Sequence, residues 1–125
     1  MTEPPTVLII EDSSTQAKLI AAQLSQYNVN VIWAEDGLQG LRMLEVEHPA
    51  LVVLDINMPK MDGYQVCRRF KRDPNTSAIP VIMLTSNDSS DDAIKGLEAG
   101  ADDYIPKDQF AYQHLLATLE VMGLV

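Results

Sequence analysis

The sequence predicts an α/β domain in which a five-stranded parallel sheet carries helices on both faces. Five short apolar runs are spaced along the chain, and segments with helical periodicity separate them. The length of 125 residues suits one domain and argues against two. Short runs that are apolar on both faces are typical of strands buried in a parallel sheet, and strand–helix alternation favours right-handed crossovers between them.

The strands are predicted from the apolar runs. The first, third and fourth runs are almost wholly apolar, whereas the second and fifth are weaker. These runs predict strands over residues 6–10, 31–34, 51–54, 81–84 and 103–105.

The helices are predicted from apolar residues at helical spacing. After the first strand, for example, Leu19, Ile20 and Leu24 recur in this way. The five helices predicted are 14–26, 38–46, 64–72, 91–99 and 110–122. Residues that favour helix N-termini stand at the start of the first four: Ser13 or Ser14, Asp36, Asp62 and Ser90. Gly100 follows the fourth helix, where a C-terminal glycine is expected.

Composition and charge exclude several classes of protein. With 18 acidic and 9 basic residues the net charge is −9, which would repel a nucleic acid backbone, so we expect no nucleic acid partner. No apolar run approaches the roughly 20 residues of a membrane helix, and residues 1–6 lack a signal-peptide pattern. We therefore expect a cytoplasmic protein without membrane insertion. The single Cys67 excludes an internal disulfide.

Polar side chains follow the predicted strands. Glu11 and Asp12 follow the first strand, Asp55 the third, Thr85 the fourth and Lys107 the fifth. Because ligands bind beyond the carboxyl ends of parallel strands, these side chains should converge. Three carboxylates at one edge repel one another unless a cation joins them, and Mg²⁺ prefers oxygen ligands. Asp55 would be the nucleophile of an aspartyl phosphate, with Mg²⁺ and Lys107 neutralising charge and Thr85 donating a hydrogen bond.

Four segments carry a resemblance to a known family: VLIIEDS (7–13), LVVLDINMPKMDGYQV (51–66), MLTS (83–86) and EAGADDYIPK (98–107). Together they resemble the receiver domain of two-component response regulators, over essentially the whole chain. The resemblance implies a doubly wound, flavodoxin-like sheet of strand order 2-1-3-4-5. Residues 1–125 would form a single, stand-alone receiver domain without an output domain.

The resemblance also implies a signalling module rather than an enzyme, catalysing only its own phosphorylation and dephosphorylation. A histidine kinase or histidine phosphotransfer protein would phosphorylate Asp55, and a downstream protein target would recognise the altered surface of the fourth helix, fifth strand and fifth helix. The segment YIPKDQF (104–110) resembles motility-type receivers, which favours chemotaxis or pilus motility. A monomer is favoured, because residues 108–125 lack the Lys and Arg of a reciprocal salt-bridge dimer.

Individual roles in metal binding follow from the resemblance. Asp12, Asp55 and the carbonyl of Asn57 would hold Mg²⁺, and Glu11 would act mostly through a bound water. Lys107 would pair with Asp55 before phosphorylation and with the phosphate afterwards.

Other roles concern the response to phosphorylation. Thr85 and Tyr104 would form the switch, although Tyr104 also fits a plain core aromatic. Asn57 and Asn87 would influence the lifetime of the phosphoryl group, and because neither carries a carboxylate, neither can serve as a general base. Family members usually have a cis proline after the lysine, whereas Asp108 follows Lys107 here. The loop geometry is therefore open, and Asp108 is a candidate cap for the last helix.

Two alternative functions stay open at this point. One is a degenerate receiver that binds partners without phosphorylation. The other is a haloacid-dehalogenase-type phosphatase, which would need its nucleophile on the first strand and a general acid two residues later. Both requirements fail here, because the candidate nucleophile Asp55 follows the third strand and Asn57 stands two residues after it. The basic run RRFKR (68–72) is interpreted as a solvated helix face, and the N–H of Trp33 needs a partner.

Overall fold

The computed structural model describes residues 3–86 and 89–125, and within them strands and helices alternate. The strands are β1 (Thr6–Ile10), β2 (Asn30–Ala34), β3 (Leu51–Leu54), β4 (Val81–Thr85) and β5 (Asp103–Pro106). The helices are α1 (Ser14–Leu24), α2 (Gly37–Glu47), α3 (Gly63–Arg72), α4 (Ser90–Glu98) and α5 (Ala111–Val121). The predicted elements are confirmed, and their boundaries differ from the predicted ones by only one or two residues. None of the helices in these two ranges is long and apolar enough to span a bilayer.

The strands form one parallel sheet in the order β2-β1-β3-β4-β5, as predicted. Ile10 at the end of β1 pairs with Leu54 at the end of β3. Thr85 at the end of β4 pairs with Pro106 at the end of β5. This register places the residues that follow β1, β3, β4 and β5 beside one another at the carboxyl edge.

Two apolar layers cover the sheet, because alternate strand residues point to opposite faces. Leu8 and Ile10 pack with residues of α2 and α3, including the fully buried Phe70. Val7 and Ile9 pack instead with α1 and α5. Each fully buried large apolar side chain contributes about 1.5–3 kcal/mol, so the two layers stabilise the central strands below the carboxyl edge.

Side-chain caps begin the first four helices. Three predicted caps are confirmed, since each accepts a hydrogen bond from a backbone N–H in the first turn: Ser13, Asp36 and Asp62. The prediction of Ser90 for α4 is wrong by one residue. Ser89 has the extended backbone of a cap and its Oγ accepts from the N–H of Asp92 at 3.1 Å, whereas Ser90 is already helical. Gly100 follows α4 at φ 106°, as expected of a C-terminal glycine.

Gly63 allows α3 to begin directly against the backbone of Asp55 and Ile56, which follow β3. Its N–H donates to the carbonyl of Ile56 at 3.0 Å. A Cβ at this position would collide with the Asp55 carbonyl oxygen and lie 2.8 Å from the Ile56 Cα. Both neighbours are backbone atoms, which cannot rotate away as a side chain can.

We therefore expect Gly63→Ala to lower the free energy of unfolding by about 1–3 kcal/mol. Urea denaturation measures this loss. Gln113→Ala is the control, because Gln113 is exposed in α5 and alanine favours helix interiors. Equal losses in the two variants would contradict the role given to the Asp55 backbone.

Candidate functional site

Three carboxylates meet at the carboxyl edge of the sheet. One oxygen of each of Glu11, Asp12 and Asp55 lies within 4.8 Å of the others. Glu11 and Asp55 are buried, whereas Asp12 is exposed. Their positions after neighbouring parallel strands predicted this convergence.

The backbone fixes the orientation of Asp55. Its N–H donates to the Ile10 carbonyl at 3.0 Å, which continues the pairing of β1 and β3 past the strand ends. The Asp55 Oδ1 accepts a hydrogen bond from the N–H of Ile56 at 2.8 Å. The other oxygen, Oδ2, lies 3.8 Å from the Lys107 ammonium. One carboxylate oxygen is thus held by the chain, and the other faces the cation.

Lys107 reaches both buried acids but lies closer to Glu11. Its Nζ is 2.6 Å from Glu11 Oε1, compared with 3.8 Å from Asp55 Oδ2. The Lys107 N–H donates to the Thr85 carbonyl at 2.7 Å, so the pairing of β4 and β5 sets where the side chain starts. Asp55 was the expected partner, and the structure adds the shorter contact with Glu11.

Glu11 is in an electrostatically unfavourable place for a carboxylate. It is 1% exposed, and among the described residues its Oε2 finds no hydrogen-bond partner. Burial raises its pKa from 4.5 to about 7; the neighbouring Asp55 adds to the rise, and Lys107 opposes it. A buried carboxylate oxygen without a donor, beside two further carboxylates, fits the ligand preference of a hard divalent cation.

Hydroxyl and amide groups border the acids on the side of β4. Thr85 is fully buried at the end of β4, and Ser86, which follows it, is exposed. The Asn57 Nδ2 donates to Ser86 Oγ at 3.3 Å and so links the loops after β3 and β4. Sequence reasoning did not single out Ser86, although its position directly after Thr85 was a signal. Asn87 lies outside the described residues, so its predicted role is untested.

The loop after Lys107 is closed by Asp108. The peptide bonds described there are trans. The Asp108 N–H donates to the Pro106 carbonyl at 2.9 Å, and its Oδ1 accepts from the N–H of Phe110 at 2.8 Å. The N-cap position of α5 is Phe110, so the prediction of Asp108 as the cap itself is wrong by two residues. Its side chain instead stabilises the turn that leads into α5.

Tyr104 belongs to β5, and its ring packs against α4. It is half-buried in the same apolar layer as Met83. A Cβ at Gly96 of α4 would lie 2.8 Å from both the Tyr104 ring and the Met83 sulfur, so the glycine makes room for the ring. This arrangement fits a core aromatic, and a switching role for Tyr104 is a proposal.

Trp33 holds the backbone of Glu11 from the neighbouring strand. Its Nε1 donates to the Glu11 carbonyl at 2.8 Å. The Glu11 N–H donates in turn to the Ala34 carbonyl at 3.1 Å. Both backbone polar groups of Glu11 are therefore fixed by β2. The sequence predicted that the indole needs a partner but not which one.

We expect Trp33→Phe to weaken binding of a divalent cation about two- to tenfold, because the Glu11 carbonyl loses one neutral hydrogen bond. Isothermal titration calorimetry with Mg²⁺ measures the change. Val31→Ala is the control, since Val31 packs in the same layer and makes no side-chain hydrogen bond. If Trp33→Phe binds Mg²⁺ as tightly as the wild type, the indole does not position the site.

A groove opens beside the site between α1 and α5. It has a volume of about 360 Å³. Its lining includes Leu19 and Ile20 of α1, Ala111 and Tyr112 of α5, and Lys107. Leu19 is 46% exposed. A ligand that entered this groove would therefore pass apolar side chains before it reached Lys107.

The chain matches known proteins over nearly its whole length. The family model for the response regulator receiver domain matches residues 7–120. The DNA-binding dual master transcriptional regulator RpaA of Synechocystis sp. is 37% identical over 118 residues, which is 94% of this chain and 48% of RpaA. The chain spans 38% to 48% of the length of this and four other curated relatives.

Solved structures agree with the fold. The Mn²⁺-bound form of response regulator Rcp1 has a TM-score of 0.82 at 29% identity, covering 97% of this chain and 95% of that one. The chemotaxis protein CheY4 of Vibrio cholerae has a TM-score of 0.86 at 25% identity, covering 94% and 98%. This chain therefore has the same fold as known response regulators, and that fold carries the acids after β1 and β3, the hydroxyl at the end of β4 and the lysine after β5. The chain belongs to the response regulator receiver domain family of two-component signalling modules.

Proposed function

We propose that this chain is a phosphorylation-controlled switch in which Asp55 accepts a phosphoryl group from a histidine kinase or histidine phosphotransfer protein. The meeting of Glu11, Asp12 and Asp55 within 4.8 Å carries the proposal. A single ammonium, that of Lys107, reaches two of these acids among the described residues. The cluster therefore has more negative charge than its own lysine balances, which suits a bound divalent cation and an electrophilic phosphorus.

Mg²⁺ is the proposed cation. Asp12, Asp55 and the carbonyl of Asn57 would hold it, and Glu11 would act mostly through a bound water. Mg²⁺ commonly takes one or two carboxylates and keeps several waters, and when bound it neutralises charge on the phosphoryl oxygens. The Mn²⁺-bound form of the similar Rcp1 supports a divalent cation in this family.

The chain's own residues account for the transfer. An Asp55 oxygen attacks phosphorus, the N–P bond of the donor breaks, and the leaving imidazole keeps the bonding pair and takes a proton. Lys107 then pairs with the phosphate instead of Glu11 and Asp55. Thr85 donates its hydroxyl to a phosphate oxygen. The non-acidic Asn57, together with Asn87, would tune how long the phosphoryl group survives.

The proposed output is a change in the surface formed by α4, β5 and α5. Thr85 and Tyr104 lie on neighbouring strands, so a shift of Thr85 towards phosphate would change the space beside Tyr104. A downstream protein target would bind that surface. The similarity to the chemotaxis protein CheY4 supports chemotaxis as the pathway. Pilus motility is the other proposed pathway, and it rests on the segment YIPKDQF (104–110) alone. A cytoplasmic monomer is part of the proposal, and the net charge of −9, which would repel a phosphate backbone, supports the absence of a nucleic acid partner.

Intact mass spectrometry after incubation with acetyl phosphate tests the proposal. We expect one phosphoryl adduct in the presence of Mg²⁺ and none in chelator. A phosphorylated histidine phosphotransfer protein is a second donor, because some receivers do not react with small donors. If neither donor produced an adduct, the proposal would fail in favour of a receiver that binds its partners without phosphorylation.

A further inference from the structure

The outer face of α3 carries a cluster of arginines that the proposed switch does not use. Val66, Cys67 and Phe70 fill the buried face of the helix. The exposed face carries Gln65, Arg68, Arg69 and Arg72. Positions 68 and 69 each lie three or four residues from both 65 and 72, so the four side chains lie along one side of the helix.

These side chains line a cavity of about 190 Å³ together with Met61 from the preceding loop. A wider depression of about 470 Å³ shares Arg69 and Arg72 and continues towards Leu41 and Glu45 of α2. A basic residue near a helix C-terminus is favoured by the helix dipole. The dipole does not explain why Arg68, a turn earlier, faces the same cavity beside a thioether.

The three arginines are unpaired within residues 3–86 and 89–125. The ion pairs found there involve Lys71, Lys107 and His114, and no hydrogen bond of an arginine side chain is found. Lys71, on the same helix, is used differently, since its Nζ donates to the Ile79 carbonyl at 2.9 Å and to Asp102 at 3.1 Å. The lysine thus stabilises the fold, whereas the arginine side chains are free to bind an anion.

Charge indicates what kind of anion fits. The chain has 9 basic residues and a net charge of −9. Three of these basic residues, all arginines, lie together on the exposed face of α3. A long polyanion such as a nucleic acid or an anionic bilayer would also meet the acidic remainder of the surface and be repelled. A short acidic peptide touches only the cavity. Guanidinium groups bind carboxylates in a bidentate manner, and the Met61 thioether can receive an apolar side chain.

We propose that the outer face of α3, formed by Met61, Gln65, Arg68, Arg69 and Arg72, docks a short acidic segment of a partner protein. The segment would present two or more carboxylates one helical turn apart, with an apolar residue between them. This surface is separate from the Asp55 site and from the face formed by α4, β5 and α5. The proposal therefore holds or fails independently of phosphorylation.

Fluorescence anisotropy with a labelled helical peptide tests the proposal. The probe carries Glu at i, i+4 and i+7 around a central Leu, and a second probe carries Gln at the same positions. We expect the Glu probe to bind the full chain and the Gln probe to bind at least about tenfold more weakly, because each carboxylate pairs with a guanidinium. Binding should weaken as salt is added, since these charges are exposed.

Variants assign the binding to α3. Arg68→Gln combined with Arg72→Gln should lower the affinity for the Glu probe about tenfold or more. Arg42→Gln should not, because Arg42 is an exposed arginine of α2 outside the cavity. Both proteins should keep the wild-type melting temperature and phosphoryl uptake from acetyl phosphate.

Three outcomes would overturn the proposal. The first is no binding of the Glu probe, and the second is binding that survives the double arginine substitution. The third is arginine-dependent binding of phosphatidylglycerol vesicles or a single-stranded oligonucleotide that exceeds binding of the Glu probe. The third outcome would assign the surface to a membrane or a nucleic acid instead.

Discussion

Asp55→Asn is expected to abolish phosphorylation while the fold persists. An amide oxygen is too weak a nucleophile to form the acyl phosphate, so uptake should fall below detection. The asparagine Oδ1 can still accept the N–H of Ile56, which the aspartate holds at 2.8 Å. The substitution also removes one of three neighbouring negative charges, so the melting temperature in chelator should not fall. Radiolabelled acetyl phosphate measures uptake, and circular dichroism measures melting.

Asp91→Asn is the control for this experiment. Asp91 is an exposed carboxylate in the first turn of α4, away from the acid cluster. Its substitution should leave phosphoryl uptake at the wild-type level. Labelling of Asp55→Asn as strong as that of wild type would show that another residue is the nucleophile.

Glu11→Gln is expected to remove the effect of pH on the stability of the metal-free protein that the Glu11 carboxyl causes. The pKa of Glu11 is about 7 in the folded chain compared with 4.5 for the free side chain. Folding therefore takes up a proton between these values, and the contribution of Glu11 is fully present below about pH 4.5. It is lost as the pH rises through about 7, a change on the order of 3 kcal/mol. In chelator the wild type should be less stable at pH 8 than at pH 5.

The glutamine variant should lose this pH dependence, because its side chain is neutral throughout. At pH 8 in chelator it should be more stable than the wild type. Saturating Mg²⁺ should stabilise the wild type more than the variant, since the metal binds the folded state and Glu11 contributes to its site. Urea denaturation at the two pH values, with and without Mg²⁺, measures these differences. Glu45→Gln, at an exposed position of α2, is the matched control.

Two results would contradict the electrostatic description of Glu11. One is a wild-type protein whose stability in chelator does not fall between pH 5 and pH 8. The other is a glutamine variant less stable than the wild type at pH 8 in chelator. Either would mean that the pair with Lys107 outweighs the cost of burying the carboxylate beside Asp55.

Most of the fold follows from the sequence because its signals are local. Apolar runs such as 51–54 are buried strands, and the strand–helix alternation fixes a parallel sheet. Boundaries are less certain where neighbours are chemically alike. Ser89 and Ser90 both suit a helix cap, and only the backbone geometry decides that Ser89 is used.

The candidate site was predictable to the level of which strands carry its residues. Acids after β1 and β3 must meet once these strands are adjacent. The finer contacts depend on side-chain directions across the sheet, which sequence spacing does not determine. The 2.6 Å contact of Lys107 with Glu11 and the hydrogen bond from Trp33 to Glu11 are examples. The arginine-lined cavity of α3 could not be predicted from the sequence either, because it also depends on where the loop before α3 places Met61.

Localising the phosphoryl group tests the central claim most directly. The protein would be treated with acetyl phosphate and Mg²⁺, and borohydride would then reduce any aspartyl phosphate to homoserine. Peptide mass spectrometry then shows which residue has changed. We predict homoserine at position 55 alone, and none when Mg²⁺ is chelated. Homoserine at position 12, or a phosphoryl group retained on a residue other than Asp55, would contradict the account.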